Sequence, residues 1–311
     1  MDTRRHGSRL TFDEVPERVR TAIEDILGSA VVAARSQPLG FSPGLAARLV
    51  LADGRRAFAK AVGLERNADS PGAHRREIGV LSALPPGLPV PALLGSYDDG
   101  DWVAIVTEDI DGTAPVEPWR PVELRRVVDA MAVLAADLTP SPIDAPPIAD
   151  LDTEMFCGWR TLAADPASAV PLGSWVVERL DELAAIESTW AGAAEGGSLV
   201  HCDLRADNVL LTPDRVMFVD WPHARIGAPW LDLLFLLPSA AATGTDPQAV
   251  WVGFPPAREA DQDAVTAVLV GLTGFFLYGS LQPPPRNLQR LRAFQRAQGE
   301  AALRWLRARL G

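Results

Sequence analysis

Cysteine is nearly absent from this chain: of 311 residues only Cys157 and Cys202 carry a thiol. Neither belongs to a C-x-x-C pair or stands near a histidine at metal-ligand spacing, which excludes a zinc site or a disulfide framework as the organising feature. A reducing cytoplasm is the expected setting. An apolar run is also missing behind the charged stretch Met1 to Ser8, so no secretory leader is expected. The most apolar stretch, Ala264 to Gly279, is interrupted by Thr266, Gly271, Thr273 and Gly274 and falls short of the roughly 20 residues that cross a bilayer. It reads as a buried helix, and no membrane partner is expected. Positive charge is in deficit: the formal net charge is −11, a field that repels phosphate backbones, so nucleic acid is not an expected partner either. The arginines Arg286, Arg290, Arg292, Arg296, Arg304, Arg307 and Arg309 stand over Leu288, Leu291, Trp305 and Leu306, which read as the apolar docking face of a closing helix. Internal repeats and low-complexity tracts are absent.

What is present divides into two kinds of pattern. Between Ala30 and Val62, β-branched and apolar runs are broken at Gly40-Phe41-Ser42-Pro43-Gly44 and at Asp53-Gly54, which implies three antiparallel strands. A helix is expected from about Pro71 to Leu84, where Ile78, Leu81 and Leu84 recur at helical spacing before Pro85-Pro86-Gly87. Val90 to Tyr97 and Trp102 to Thr107 read as two further strands. After Gly112 the pattern changes to amphipathic helices, about Val122 to Leu138, Glu154 to Leu162 and Ser174 to Trp190. A hairpin segment (Val200 to Asp220) and helices near Trp230, Ala264 to Tyr278 and Leu288 to Leu310 follow. The expected class is α+β, with a small mixed unit over residues 1–111 and a larger helical one over 112–311.

The most informative stretch runs from His201-Cys202-Asp203-Leu204-Arg205-Ala206-Asp207-Asn208 through a turn at Pro213-Asp214 to Val219-Asp220. If Asn208 to Leu211 pairs with Val216 to Asp220, Asn208 and Asp220 are expected to face each other at the open end of the hairpin. An amide oxygen and a carboxylate there suit Mg²⁺, which takes few protein oxygens when phosphates supply the rest. Asp203, a short loop upstream, is the candidate base for an attacking hydroxyl. Turn-forming is the competing role for any one of the three, since Asp and Asn favour turns.

The order H-x-D-x-x-x-x-N, with an aspartate at the end of the next strand, resembles the loops shared by protein kinases and aminoglycoside phosphotransferases. Val219-Asp220-Trp221 and Pro229-Trp230-Leu231-Asp232-Leu233 are similar to the small-molecule branch, where the aspartate matching Asp232 braces the catalytic loop. The resemblance implies a protein-kinase-like two-lobed fold with ATP and Mg²⁺ as cofactors. By it Lys60 contacts the α- and β-phosphates, Glu77 pairs with Lys60, and Gly40, Ser42 and Gly44 cover the phosphates. Glu108 offers its C=O and Ile110 its N–H to adenine from the hinge Thr107 to Gly112, and Asn208 and Asp220 hold the metal. The family commonly has glycine where Cys202 stands and small residues at Ala206 and Asp207. Arg205 is expected either to reach the transferring phosphoryl group or to pair with Asp207 or Asp232. His223 reads as a surface or packing residue.

The implied activity is transfer of the γ-phosphate to a hydroxyl of a small molecule. The resemblance leaves the acceptor open among aminoglycosides, choline, amino sugars, homoserine, fructosamines and macrolides; a cationic acceptor would be faced by acidic residues such as Asp152, Glu154, Asp181, Glu182, Glu259, Asp261 and Asp263, for each of which an exposed helix face is the competing role. The alternative is a nucleotide-binding pseudoenzyme, although Lys60, Asp203, Asn208 and Asp220 are all intact. A protein kinase is disfavoured because no A-P-E segment separates Asp220 from Asp232.

Overall fold

The computed structural model describes residues 9–37, 43–151, 155–284 and 291–311. In chain order the first elements are helix α1 (Glu17–Leu27), strands β1 (Val31–Ser36), β2 (Leu45–Leu51) and β3 (Arg56–Gly63), helix α2 (Ser70–Ala83), and strands β4 (Leu93–Asp98) and β5 (Trp102–Glu108). Then come α3 (Pro121–Asp137), α4 (Gly158–Ala164), α5 (Ser174–Glu178), α6 (Leu180–Glu187) and α7 (Trp190–Ala193). Short strands β6 (Ser198–Val200), β7 (Val209–Leu211), β8 (Val216–Phe218) and β9 (Arg225–Gly227) lead to α8 (Leu231–Ala242), α9 (Pro247–Gly253), α10 (Pro255–Arg258), α11 (Gln262–Leu281) and α12 (Leu291–Leu310).

Two compact units result: Met1–Pro115 with Ala206–His223, and Val116–Arg205 with Ala224–Gly311. The sequence expects a single boundary after residue 111, whereas the β7–β8 hairpin groups with the first unit. Its edges are bonded there: Thr113 and Leu211 exchange N–H···O bonds of 3.1 and 2.8 Å, and the Phe218 N–H donates to the Pro89 carbonyl at 2.8 Å.

The first unit is an antiparallel sheet of order β1-β2-β3-β5-β4. Strand periodicity divides its two faces. Ala57, Ala59 and Ala61 of β3 point into an apolar core with Val19, Ile23 and Leu27 of α1, while Phe58 and Lys60 point into a cavity on the other face. Helix α1 has no counterpart in the strand-first reading of this region. Its apolar residues are spaced 3 to 4 apart on one face, as burying a helix on a sheet requires. Helix α2 begins where the Asn67 carboxamide oxygen accepts the N–H groups of Asp69 and Ser70, with Pro71 in its first turn.

In the second unit, one long helix was expected over Ser174 to Trp190, and three short ones stand there. Arg179 leaves helical dihedrals (φ −115°, ψ 14°), and the hydroxyls of Ser188 and Thr189 bond back to the Ala185 and Ile186 carbonyls. Helix α11 is longer than its interrupted apolar stretch suggested, at 20 residues. By length and composition alone it matches a membrane crossing, yet 56% of its most apolar window is buried. It packs on α4, α6, α7 and α12. Trp305 and Leu306 of α12 are buried, as expected of a closing helix.

Candidate functional site

The cavity on the open face of the first unit's sheet has a volume of about 500 Å³, within the range of small-ligand sites. Of the residues singled out in the sequence, Lys60, Glu77, Glu108, Ile110, Asn208 and Asp220 line it together. At its centre the Lys60 Nζ donates to both Glu77 oxygens at 2.8 and 2.9 Å and to Asp220 Oδ1 at 2.6 Å. Burial lowers the ammonium pKa, but the charges of Asp220 and Glu77 outweigh it and the net shift is upward, so Lys60 stays charged. Burial pushes the Glu77 carboxyl up, and Lys60 opposes that shift.

The hairpin register differs from expectation by one residue. Val209 pairs with Phe218, and the Val219 N–H donates to the Asn208 carbonyl at 3.0 Å, so Val219 rather than Asp220 stands opposite Asn208. Asp220 lies one residue further on with φ 70°, a left-handed conformation unusual for a non-glycine residue. There its carboxylate meets Lys60. Asn208, buried on a short 3-10 turn (Ala206–Asn208), lines the same cavity. An amide and a carboxylate are the hard oxygen donors that Mg²⁺ takes alongside phosphate. Among the described residues no group of three His, Cys, Asp or Glu side chains could hold a metal by themselves.

Toward the hinge, Arg48 of β2 donates to the carbonyls of Ile110 and Gly112, both at 2.9 Å, and with Arg56 it flanks the Asp109 carboxylate. Ile110 lines the cavity, and among the described residues no hydrogen bond from its N–H is found. The Glu108 carboxylate accepts the Ala92 N–H at 3.0 Å. Gly44 does not line the cavity. A Cβ there would lie 2.3 Å from the Ala61 carbonyl oxygen, so close packing on β3 requires glycine. Gly40 and Ser42 lie outside the described residues.

Sequence reasoning passed over Arg9, Arg35, Arg48 and His74, all of which line the cavity. His74 precedes Glu77 by three positions and shares its helical face, a signal available in the sequence. Burial and the charge of Lys60 push its pKa down to about 4, against the charge of Asp220 and a backbone hydrogen bond at Ser70.

Asp203 and Arg205 belong to the second unit, on the loop after β6. The loop is braced by Asp232 near the start of α8, whose oxygens accept the His201 and Cys202 N–H groups at 2.9 and 2.8 Å. Burial pushes the Asp232 pKa up to about 6 against those two bonds. Cys202 has φ 65°, a left-handed conformation that favours glycine, the residue that the resemblance expects at this position. Burial and Asp232 push its thiol pKa well up, so it does not serve as a thiolate. Arg205 forms an ion pair with Asp203 at 3.2 Å, a partner the sequence reading did not consider. His223 is exposed. Of the acidic acceptor candidates, Glu182 pairs with Arg179 and Asp261 caps α11, while Asp152 and Glu154 lie outside the described residues.

Residues 44–264, more than half of the sequence, match the APH family, described as the phosphotransferase enzyme family. The chain belongs to this family. Sequence comparison with curated proteins finds no match. Among solved structures, a macrolide 2'-phosphotransferase type I is 17% identical with TM-score 0.55, covering 97% of this chain and 98% of its own. An amicoumacin kinase in complex with AMP-PNP, Ca²⁺ and Ami is 12% identical with TM-score 0.52, covering 89% and 88%. A putative fructosamine-3-kinase from Haemophilus somnus 129PT is 11% identical with TM-score 0.52, covering 91% and 96%. At these identities the likeness establishes the fold alone.

Proposed function

We propose that this phosphotransferase family member moves the γ-phosphate of ATP to a hydroxyl group of a small, amino-containing molecule. The observation that carries the reading is Lys60 held between Glu77 and Asp220 in a nucleotide-sized cavity, with the Ile110 N–H available at the hinge. Lys60, fixed and charged, suits the α- and β-phosphates, and the Ile110 N–H and Glu108 C=O suit the adenine edge. Asn208 and Asp220 would hold Mg²⁺, which when bound supplies charge neutralisation for the phosphates.

Asp203 accepts the proton of the acceptor hydroxyl as its oxygen bonds to the γ-phosphorus and the bond to the ADP oxygen breaks. Arg205, 3.2 Å from Asp203, fixes the orientation of that carboxylate. Asp232 keeps the loop backbone in place through the His201 and Cys202 amides.

The test is ADP release from Mg·ATP across aminoglycosides, amino sugars, choline-like amines and macrolides, with Asp203→Asn as the blank. Acceptor-dependent release that vanishes in the variant supports the reading and names the acceptor class. Nucleotide binding without accelerated release by any hydroxyl compound counts against transfer and for a nucleotide-binding protein.

A further inference from the structure

The cavity's charges leave a role that the family resemblance does not fill. Asp207, Asp220 and Glu77 bring three carboxylates to it, and Lys60 is already engaged by two of them. The segment before α1 crosses to the sheet, where Leu10 bridges to Leu45 at the start of β2 and the Ser36 hydroxyl donates to the Leu10 carbonyl. Leu10 and Phe12 are buried in the core beneath. Arg9, the next residue outward, is thereby carried into the cavity lining. Burial lowers its pKa while Asp220 and then Asp207 raise it, so its guanidinium stands within electrostatic reach of both carboxylates.

We propose that Arg9 is a phosphate-binding residue of the nucleotide site, supplied by the N-terminal segment, and that in the ligand-free chain it serves as the counter-ion of Asp207 and Asp220. The proposal rests on the nucleotide reading above. A guanidinium is always charged and presents paired donors to phosphate oxygens. When Asp220 turns to a metal, Arg9 loses an anionic neighbour and the incoming phosphates replace it. The charge balance of the pocket is thus kept in both states. Lys60 cannot do this alone, because Glu77 holds it throughout.

The test is equilibrium binding of Mg·ATP, adenosine and Mg²⁺ alone to the full-length wild type, Arg9→Ala and Arg9→Lys, with thermal unfolding to confirm that each variant is folded. For Arg9→Ala, Mg·ATP affinity is expected to fall about tenfold, with adenosine unchanged and Mg²⁺ alone bound more tightly, since a competing cation has gone. Arg9→Lys is expected to recover part of the loss. Wild-type affinity for Mg·ATP in Arg9→Ala, or an equal loss for adenosine and ATP, overturns the role of Arg9 while leaving the nucleotide site standing. A folded wild type that binds none of the nucleotides overturns both.

Discussion

The cavity of the first unit and the loop of the second hold their functional groups by different means. In the cavity, Lys60, Glu77 and Asp220 come from a strand, a helix and a hairpin end, and they are fixed by charge against charge. In the loop, the Asp232 carboxylate is spent on two backbone N–H groups. A charge cluster can be redistributed by an incoming anion or metal, whereas a carboxylate bonded to main chain fixes a backbone path. The first arrangement suits ligand capture, and the second suits holding Asp203 in one orientation.

The largest expected effect separates these duties. Asp203→Asn should lower phosphoryl transfer by about 10³-fold with nucleotide affinity nearly unchanged; a parallel loss of affinity, read by titration beside ADP release, would break the comparison. Asp232→Ala leaves two amides without partners and should cost about 2–4 kcal/mol in urea unfolding. Asp232→Asn, with one accepting oxygen, should recover part of that. Lys60→Ala strands buried Glu77 beside Asp220 and should cost about 3 kcal/mol. The double variant Lys60→Met, Glu77→Gln should regain stability without regaining Mg·ATP affinity, since the charge that meets phosphate is absent from both.

The smallest effects are two pH dependences of opposite sign. The His74 pKa falls from 6.5 to about 4 on folding, so its contribution to stability is present above 6.5 and is lost as pH drops toward 4. For Asp232 the pKa rises from 3.8 to about 6, so the folded chain takes up the proton first and this group favours folding as pH falls from 6 toward 4. Unfolding midpoints measured from pH 4 to 7 should show a shallower acid loss in His74→Gln and a steeper one in Asp232→Asn.

Much of this was legible in the sequence. Alternation of apolar residues set the strands, turn residues at Asp53-Gly54 set the first hairpin, and Lys60, Glu77, Asn208 and Asp220, singled out in the sequence, line one cavity. Helix α1 was missed because its three buried residues, Val19, Ile23 and Leu27, are diluted by charged neighbours. The hairpin register was missed by one because symmetry about the turn does not say where a chain leaves the ladder; Asp220 does so by turning left-handed.

Short-range physical chemistry therefore determined most of which residues are strand, helix and turn, since these depend on neighbours within a few positions. The resemblance paired Lys60 with Glu77, but only the tertiary structure brought Asp220 and Arg9 to them. Lys60 and Asp220 are 160 residues apart at 2.6 Å, and Arg9 enters their cavity through a segment with no motif. Long-range placement follows from burying one face of the sheet on its core while the other faces the cavity, a condition on the whole unit that no local spacing contains.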